Sequence, residues 1–179
     1  MTTAQFNRLM EWEGGGKLHR DPIGILTKWG VAETANPDVD VANLTEAEAM
    51  RIAEAKYWKP AKLDYIPEPF QYMVFDFAYN AGVGRAVRTF QTAMNDAAVV
   101  MRIDGFLRDG HVFLLVDGMP GPNTQGRAAV MAGSQSRISL LQRLFIFRRM
   151  EFYHGLAMMN PSRYSTSLNG WLRRALEAV

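Results

Sequence analysis

Apolar side chains recur at helical spacing along most of this 179-residue chain, and glycine or proline separates the segments that show the pattern. The first such segment, residues 3–13, carries a single apolar face that includes Phe6, Leu9 and Met10. Further helices are predicted over residues 46–58, 69–80, 85–94, 123–132, 135–158 and 166–178. A capping box, Thr45 with Glu48, opens the second of these helices. The expected fold is therefore mainly α.

Two polar segments interrupt the helices. Residues 17–44 are rich in Gly, Pro, Asp and Asn, which predicts an ordered loop or a small β-ribbon. Residues 95–122 contain Asp-Gly pairs around the sequence HVFLLV, which is typical of a small hairpin. The organisation is that of a predominantly α protein with one irregular polar insert early in the chain and one in the middle.

Composition excludes several classes of site. The chain has no cysteine, so disulfides, thiolate zinc sites and cysteine nucleophiles are excluded. His19, His111 and His154 lack metal-ligand spacing, and we expect neither a metal nor a cofactor. The N-terminal residues lack the basic and apolar regions of a Sec signal peptide, and the apolar runs are shorter than the roughly 20 residues of a membrane span. No stable membrane insertion is expected.

Positive charge gathers late in a chain of net charge +2. The arginines concerned are Arg143, Arg148, Arg149, Arg163, Arg173 and Arg174. They could dock on an anionic polymer, or they could form the solvated faces of helices. The late arginines are the single feature of the sequence that points to nucleic-acid binding, so we do not expect a nucleic-acid partner.

Glu13 is the strongest candidate for a catalytic residue. It shares the apolar face of the first helix and is followed by Gly14, Gly15 and Gly16. A position near apolar packing at a helix C-terminus favours the protonated form of a carboxylic acid, which can donate a proton to a glycosidic oxygen. A surface glutamate ahead of a glycine cap is the alternative.

Asp21 and Thr27 follow within a turn-rich segment, HRDPIGILTKWGVA. The order Glu, Asp, Thr resembles the catalytic triad of the common phage lysozymes, although Glu13 and Asp21 are one residue closer here. A second carboxylate or a water held by a hydroxyl would act on the opposite face of the sugar. Asp21 with Pro22 is equally an ordinary turn.

Six blocks in order extend the resemblance along the chain: WEGGG, TKWGVA, EAMRIAEAKYWKP, FDFAYNAGVGRAVRTFQTAM, VDGMPGPNT and NPSRYSTSLNGWLRRA. Together they resemble glycoside hydrolase family 108, whose members are N-acetylmuramidases. The resemblance implies a catalytic region over residues 1–92, with Glu13 as the acid. It also implies that residues 93–179 form a peptidoglycan-binding region packed with the first as one unit. Gly16 stands where the family has tyrosine.

Four further side chains are candidates for substrate binding: Trp58, Asp76, Tyr79 and Asn80. Asp76 and Asn80 lie four residues apart on one helical face. Asp76 could instead be the second acid/base group or hold the structure together, and Trp58 could belong to the core.

The resemblance implies a mainly α, lysozyme-like helical fold with a small β-ribbon or hairpin insert. It also implies a muramidase that cleaves the β-1,4 bond between N-acetylmuramic acid and N-acetylglucosamine in peptidoglycan strands. We expect the protein to be a monomer. A phage endolysin, held in the host cytoplasm until a holin-type lesion releases it to the cell wall, fits the expected lack of a signal peptide. The alternative is a non-catalytic wall-binding or secretion-associated module.

Overall fold

A computed structural model describes residues 1–20, 24–101 and 113–179. These residues form two compact units, Met1–Trp58 and Lys59–Val179. The functional division predicted at residues 92/93 falls inside a helix of the second unit and stays a prediction.

The first unit combines two helices with a small sheet. Helix α1 spans Thr3–Glu13, and α2 spans Glu46–Ala53 before a π-helical turn over Glu54–Trp58. The antiparallel sheet has the order β1-β2-β3, with strands His19–Arg20, Leu26–Lys28 and Val31–Ala32. A short 3₁₀ turn, Glu33–Ala35, follows the sheet. The β-ribbon predicted within residues 17–44 is confirmed.

Side-chain caps explain where both helices begin. The Thr2 hydroxyl oxygen accepts a hydrogen bond from the Gln5 backbone N–H at 3.2 Å, and the Thr2 N–H donates to the Gln5 Oε1 atom at 2.9 Å. Thr45 and Glu48 make the same reciprocal pair at the start of α2. Such boxes satisfy N–H groups that a helix start leaves without partners. The capping box predicted at Thr45 is therefore confirmed.

The second unit is helical. After a 3₁₀ turn at Leu63–Tyr65, its helices are α3 (Glu68–Ala81), α4 (Val83–Val100), α5 (Pro122–Met131), α6 (Gln135–Met159) and α7 (Pro161–Glu177). Helix α6 packs against α4 and α7, and α3 packs against α4. Pro161 begins α7, as expected of a residue whose missing N–H costs nothing at a first helical turn.

An aromatic cluster forms the centre of this unit. The Phe77 ring meets Phe145, Phe152 and Tyr153 edge-on, at centroid distances of 6.0, 5.6 and 5.8 Å. Phe90 packs on Phe145 at 6.2 Å. Edge-to-face pairs at these distances add stabilisation beyond the burial of their apolar surface. Helices α3, α4 and α6 are joined through this cluster.

The observed architecture is mainly helical with a small three-stranded sheet, as predicted. The hairpin predicted within 95–122 falls largely outside the described residues, and the described residues 113–116 are not in a strand. Instead, Asn95 of α4 holds Leu114 by two hydrogen bonds, of 2.8 and 2.9 Å. No helix among the described residues is long and apolar enough to cross a membrane.

Candidate active site

Glu13 is the last residue of α1 and is half-buried. Beyond it, Gly14 and Gly15 have φ angles of 77° and 60°. The N–H groups of both glycines point back to the Met10 carbonyl, at 3.0 Å for Gly15. Only glycine adopts such angles without a steric cost. The two glycines end the helix directly after the carboxylate and turn the chain away from it.

The β2–β3 hairpin is tied to this glycine segment. The Trp29 N–H donates to the Gly15 carbonyl at 3.1 Å. Trp29 and Gly30 form the two-residue hairpin turn, with φ angles of 54° and 70°. Positive φ at both positions is the pattern of a type I′ turn, which favours Asn-Gly. A tryptophan in the left-handed region costs about 1–2 kcal/mol, so this turn is strained.

The Trp29 indole lies over Gly16. A Cβ atom on Gly16 would be 2.4 Å from the indole Cζ2 atom and 2.7 Å from Cε2. The indole also lies near the fully buried Phe6 ring of α1, at a centroid distance of 6.5 Å. Any side chain at position 16 would therefore overlap the indole in its present position.

Thr27 lies in the central strand of the sheet, paired with His19 on one side and Ala32 on the other. Thr27 is half-buried, and its side chain has no hydrogen-bond partner among the described residues. Its strand leads directly into the turn that bonds to Gly15. Asp21 lies outside the described residues.

Tyr57 is an electrostatic neighbour of Glu13 in the same unit. Partial burial raises the pKa of the Tyr57 phenol, and the negative charge of Glu13 raises it further. The phenol therefore keeps its proton at neutral pH, as a potential donor close to the carboxylate. Trp58, by contrast, is only 2% exposed. This burial fits the alternative of a core residue, and the predicted sugar contact of Trp58 stays a prediction.

In the second unit, Asp76 is fully buried between two arginines. Its Oδ2 atom is 2.6 Å from Arg149 Nη1, and its Oδ1 atom is 2.9 Å from Arg174 Nη2. The Arg149 guanidinium also lies over the Phe77 ring, 5.0 Å from its centroid. A sugar could reach Asp76 only by displacing one of these charges. These contacts fit the alternative of a structural role for Asp76, and its role in substrate binding stays a prediction.

A hydrogen-bond chain leads from this buried ion group to Asn80. Arg149 Nε donates to the Tyr153 hydroxyl at 3.1 Å, and that hydroxyl donates to Asn80 Oδ1 at 2.7 Å. Burial raises the pKa of Tyr153, so its hydroxyl keeps the proton that it donates. Asn80 is exposed, and among the described residues its amide N–H groups have no hydrogen-bond acceptor. The role of Asn80 in substrate binding stays a prediction.

Tyr79 is half-buried and packs edge-on against Phe75, with centroids 6.3 Å apart. Its role as a substrate contact also stays a prediction. In the described part of the chain no cluster of His, Asp or Glu is arranged to hold a metal ion.

Three residues of these networks were not singled out for these roles by the sequence analysis: Trp29, Arg149 and Tyr153. Trp29 carried a local signal, because Trp-Gly between two short strands occupies the place of the favoured Asn-Gly turn. Arg149 and Tyr153 carried none, since their partners are 73 residues away in sequence.

The chain is similar to known proteins in sequence over part of its length and in fold over nearly all of it. Residues 6–82 match the family model described as Glycosyl hydrolase 108. SagA of Brucella abortus has a similar structure, with a TM-score of 0.62 and 19% sequence identity over 99% of this chain and 97% of that one. No match was found among curated proteins. Residues 6–82, which include Glu13, Thr27 and Trp29, thus form a region similar to glycosyl hydrolase 108, in a chain with a mainly helical, lysozyme-like fold.

Proposed function

We propose that the protein is an N-acetylmuramidase that hydrolyses the β-1,4 bond between N-acetylmuramic acid and N-acetylglucosamine in peptidoglycan. One observation carries the proposal. A half-buried glutamate ends α1 within the region similar to glycosyl hydrolase 108, and a backbone hydrogen bond ties the next residues to the hairpin that holds Thr27. A carboxyl group beside a bare glycine backbone is suited to reach a bulky glycan.

In the proposed reaction, Glu13 donates its proton to the glycosidic oxygen as the bond to the anomeric carbon breaks. Water supplies the hydroxyl group that ends on the anomeric carbon, and the remaining proton of the water goes to a second carboxylate, which acts as the base. The Thr27 hydroxyl, which has no other described partner, is suited to hold that water. The Tyr57 phenol is suited to donate a hydrogen bond near Glu13 once the proton has left.

The second carboxylate is proposed to be Asp21. Of the two candidates, Asp76 is occupied by Arg149 and Arg174. Each of its carboxylate oxygens already faces a guanidinium group inside the protein, which leaves neither oxygen open to take a proton from water.

The decisive experiment is the clearing of purified cell-wall suspensions by the wild type, Glu13→Gln and Glu11→Gln. Glu11 is a matched control, being an exposed glutamate two residues earlier on the same helix. We expect Glu13→Gln to lose at least about 100-fold in rate, as the loss of a general acid does, and Glu11→Gln to retain activity. Equal clearing by the wild type and Glu13→Gln would make the proposal wrong. Asp21→Asn belongs in the same assay, where inactivity with a native circular dichroism spectrum supports its role.

Mass spectrometry of the released fragments tests which bond is cleaved. A reducing-end N-acetylmuramic acid supports the proposal, whereas a reducing-end N-acetylglucosamine or free peptide stems contradict it. Light scattering during size exclusion tests the proposed monomer.

For the biological setting, we propose a phage endolysin that stays in the host cytoplasm until a holin-type lesion releases it. Expression in a bacterial host with and without a pore-forming protein tests this proposal. Lysis only when the pore is present is expected, and lysis without it contradicts the proposal.

A further inference from the structure

We propose that Trp29 is a sugar-binding residue of the Glu13 site, and that its indole packs against the apolar face of an N-acetylated hexose. This inference rests on the proposed function, because it names a residue that binds the same glycan. No motif of the sequence pointed to this role.

The backbone of Trp29 supplies the first reason. Its φ angle of 54° lies in the left-handed region, at a turn position that favours asparagine. A bulky residue in that region is a true outlier. Backbone strain of this kind persists where the surrounding structure enforces it, and it concentrates at ligand-binding sites.

The packing of the indole supplies the second reason. The ring lies against the backbone of Gly16, so closely that a Cβ there would overlap it. The Phe6 ring lies near it at 6.5 Å, with the two planes inclined by 36°. The residue is half-buried, so part of it remains accessible to solvent. An aromatic side chain that is fixed before binding loses little conformational entropy when it meets a ligand.

The backbone link between the Trp29 turn and the segment after Glu13 supplies the third reason. The Trp29 N–H binds the carbonyl of Gly15, two residues after Glu13. The strained turn and the catalytic candidate therefore share one short, hydrogen-bonded stretch of backbone. Pyranose rings present C–H groups on their faces, and indole is a large apolar surface with a negative face. A sugar held by Trp29 would therefore lie near the glycine segment that directly follows the proton donor.

Trp29→Asn is the variant that tests the proposal most directly. Asparagine suits a type I′ turn, so we expect the hairpin to form while the indole is lost. Binding is measured by calorimetry with soluble N-acetylglucosamine oligomers in the Glu13→Gln background, which prevents cleavage. We expect an affinity at least about ten-fold lower than that of Glu13→Gln alone. With Glu13 present, we expect a higher KM for wall fragments and a nearly unchanged kcat, since stacking binds ground and transition states alike.

Gly16→Ala provides a second, independent variant. The added methyl group would displace the indole, so we expect weaker oligomer binding when Trp29 is present. In the Trp29→Asn background the same methyl group meets no indole, and we expect it to have little further effect. Such non-additivity in a double-mutant cycle reports direct coupling between the two positions.

Two results would overturn the inference. One is an unchanged oligomer affinity in a folded Trp29→Asn protein, and the other is an equal effect of Gly16→Ala in both backgrounds. If the wild type clears cell walls in either case, only the inference about Trp29 fails. If the wild type neither binds oligomers nor cleaves walls, the proposed function fails first, and the inference fails with it.

Discussion

At the scale of single residues, Gly14 and Gly15 have positive φ angles, whereas Gly16 is in contact with the indole of Trp29. One residue type therefore meets two different requirements in three consecutive positions. The sequence pattern predicted that α1 ends at this point, because three glycines interrupt a helical face. It could not predict the contact at Gly16, which depends on a hairpin formed later in the chain.

Gly14→Ala should cost about 1–2 kcal/mol in the free energy of unfolding, because alanine is strained at a φ of 77°. Gly170→Ala is a suitable control, since Gly170 lies inside α7 with open space around its Cα. That control should stabilise the protein by about 0.5–1 kcal/mol through helix propensity. Urea denaturation of both variants measures the difference, and equal effects would contradict the left-handed cap.

At the scale of elements, the buried side chain of Gln91 joins α4 to the segment before α5. Its amide donates to Asp117 Oδ1 at 2.8 Å and to the Met119 carbonyl at 3.1 Å, and its carbonyl accepts from the Gly118 N–H at 2.9 Å. A buried amide with these partners replaces the backbone pairing that an irregular segment lacks. The segment is thereby held in place without strands.

The Asp117 contact predicts a pH dependence of stability. Hydrogen bonds from the Gln91 side chain and the Met119 N–H hold the pKa of Asp117 below its ordinary value of 3.8. A lowered pKa in the folded state means that this stabilisation is complete above about pH 5 and is lost as the pH falls through the folded value. Asp117→Asn should therefore lose less stability than the wild type between about pH 5 and pH 2. Denaturant unfolding at several pH values measures this, and parallel curves would contradict it.

Local patterns predicted most helices, because their signals lie within the helices themselves. The capping box at Thr45 and the break at Pro161 are of this kind. The helix predicted over residues 46–58 ends earlier as an α-helix, at Ala53, and a π-helical turn completes it. No local pattern marks that change. The ion pairs of Asp76 could not be predicted either, since its partner Arg174 lies 98 residues away in sequence.

At the scale of the whole molecule, carboxylates of the protein itself neutralise part of the late positive charge. Arg149 and Arg174 bind Asp76, and Arg148 binds Asp96 through two hydrogen bonds of 2.7 and 2.8 Å. These three arginines are therefore not simply the solvated helix faces that the sequence allowed. The buried group of Asp76, Arg149 and Arg174 joins α3, α6 and α7.

Arg174→Met should destabilise the protein by about 3 kcal/mol, because it removes one partner from a buried ion group. Its neighbour Arg173 is the matched control, because its side chain is 72% exposed and its Nε atom is 3.6 Å from Glu177. Arg173→Met should change stability by less than about 0.5 kcal/mol. Thermal and urea unfolding of the two variants give the comparison. Similar values for both would mean that the buried group contributes little.

The buried ion group also bears on how this protein responds to heat. Removing charges from water becomes less costly as temperature rises, whereas the gain from burying apolar surface levels off. The attraction of Asp76 for its two arginines therefore becomes relatively more important on warming. Near the melting temperature, the C-terminal helix depends more on these three charges than it does in the cold.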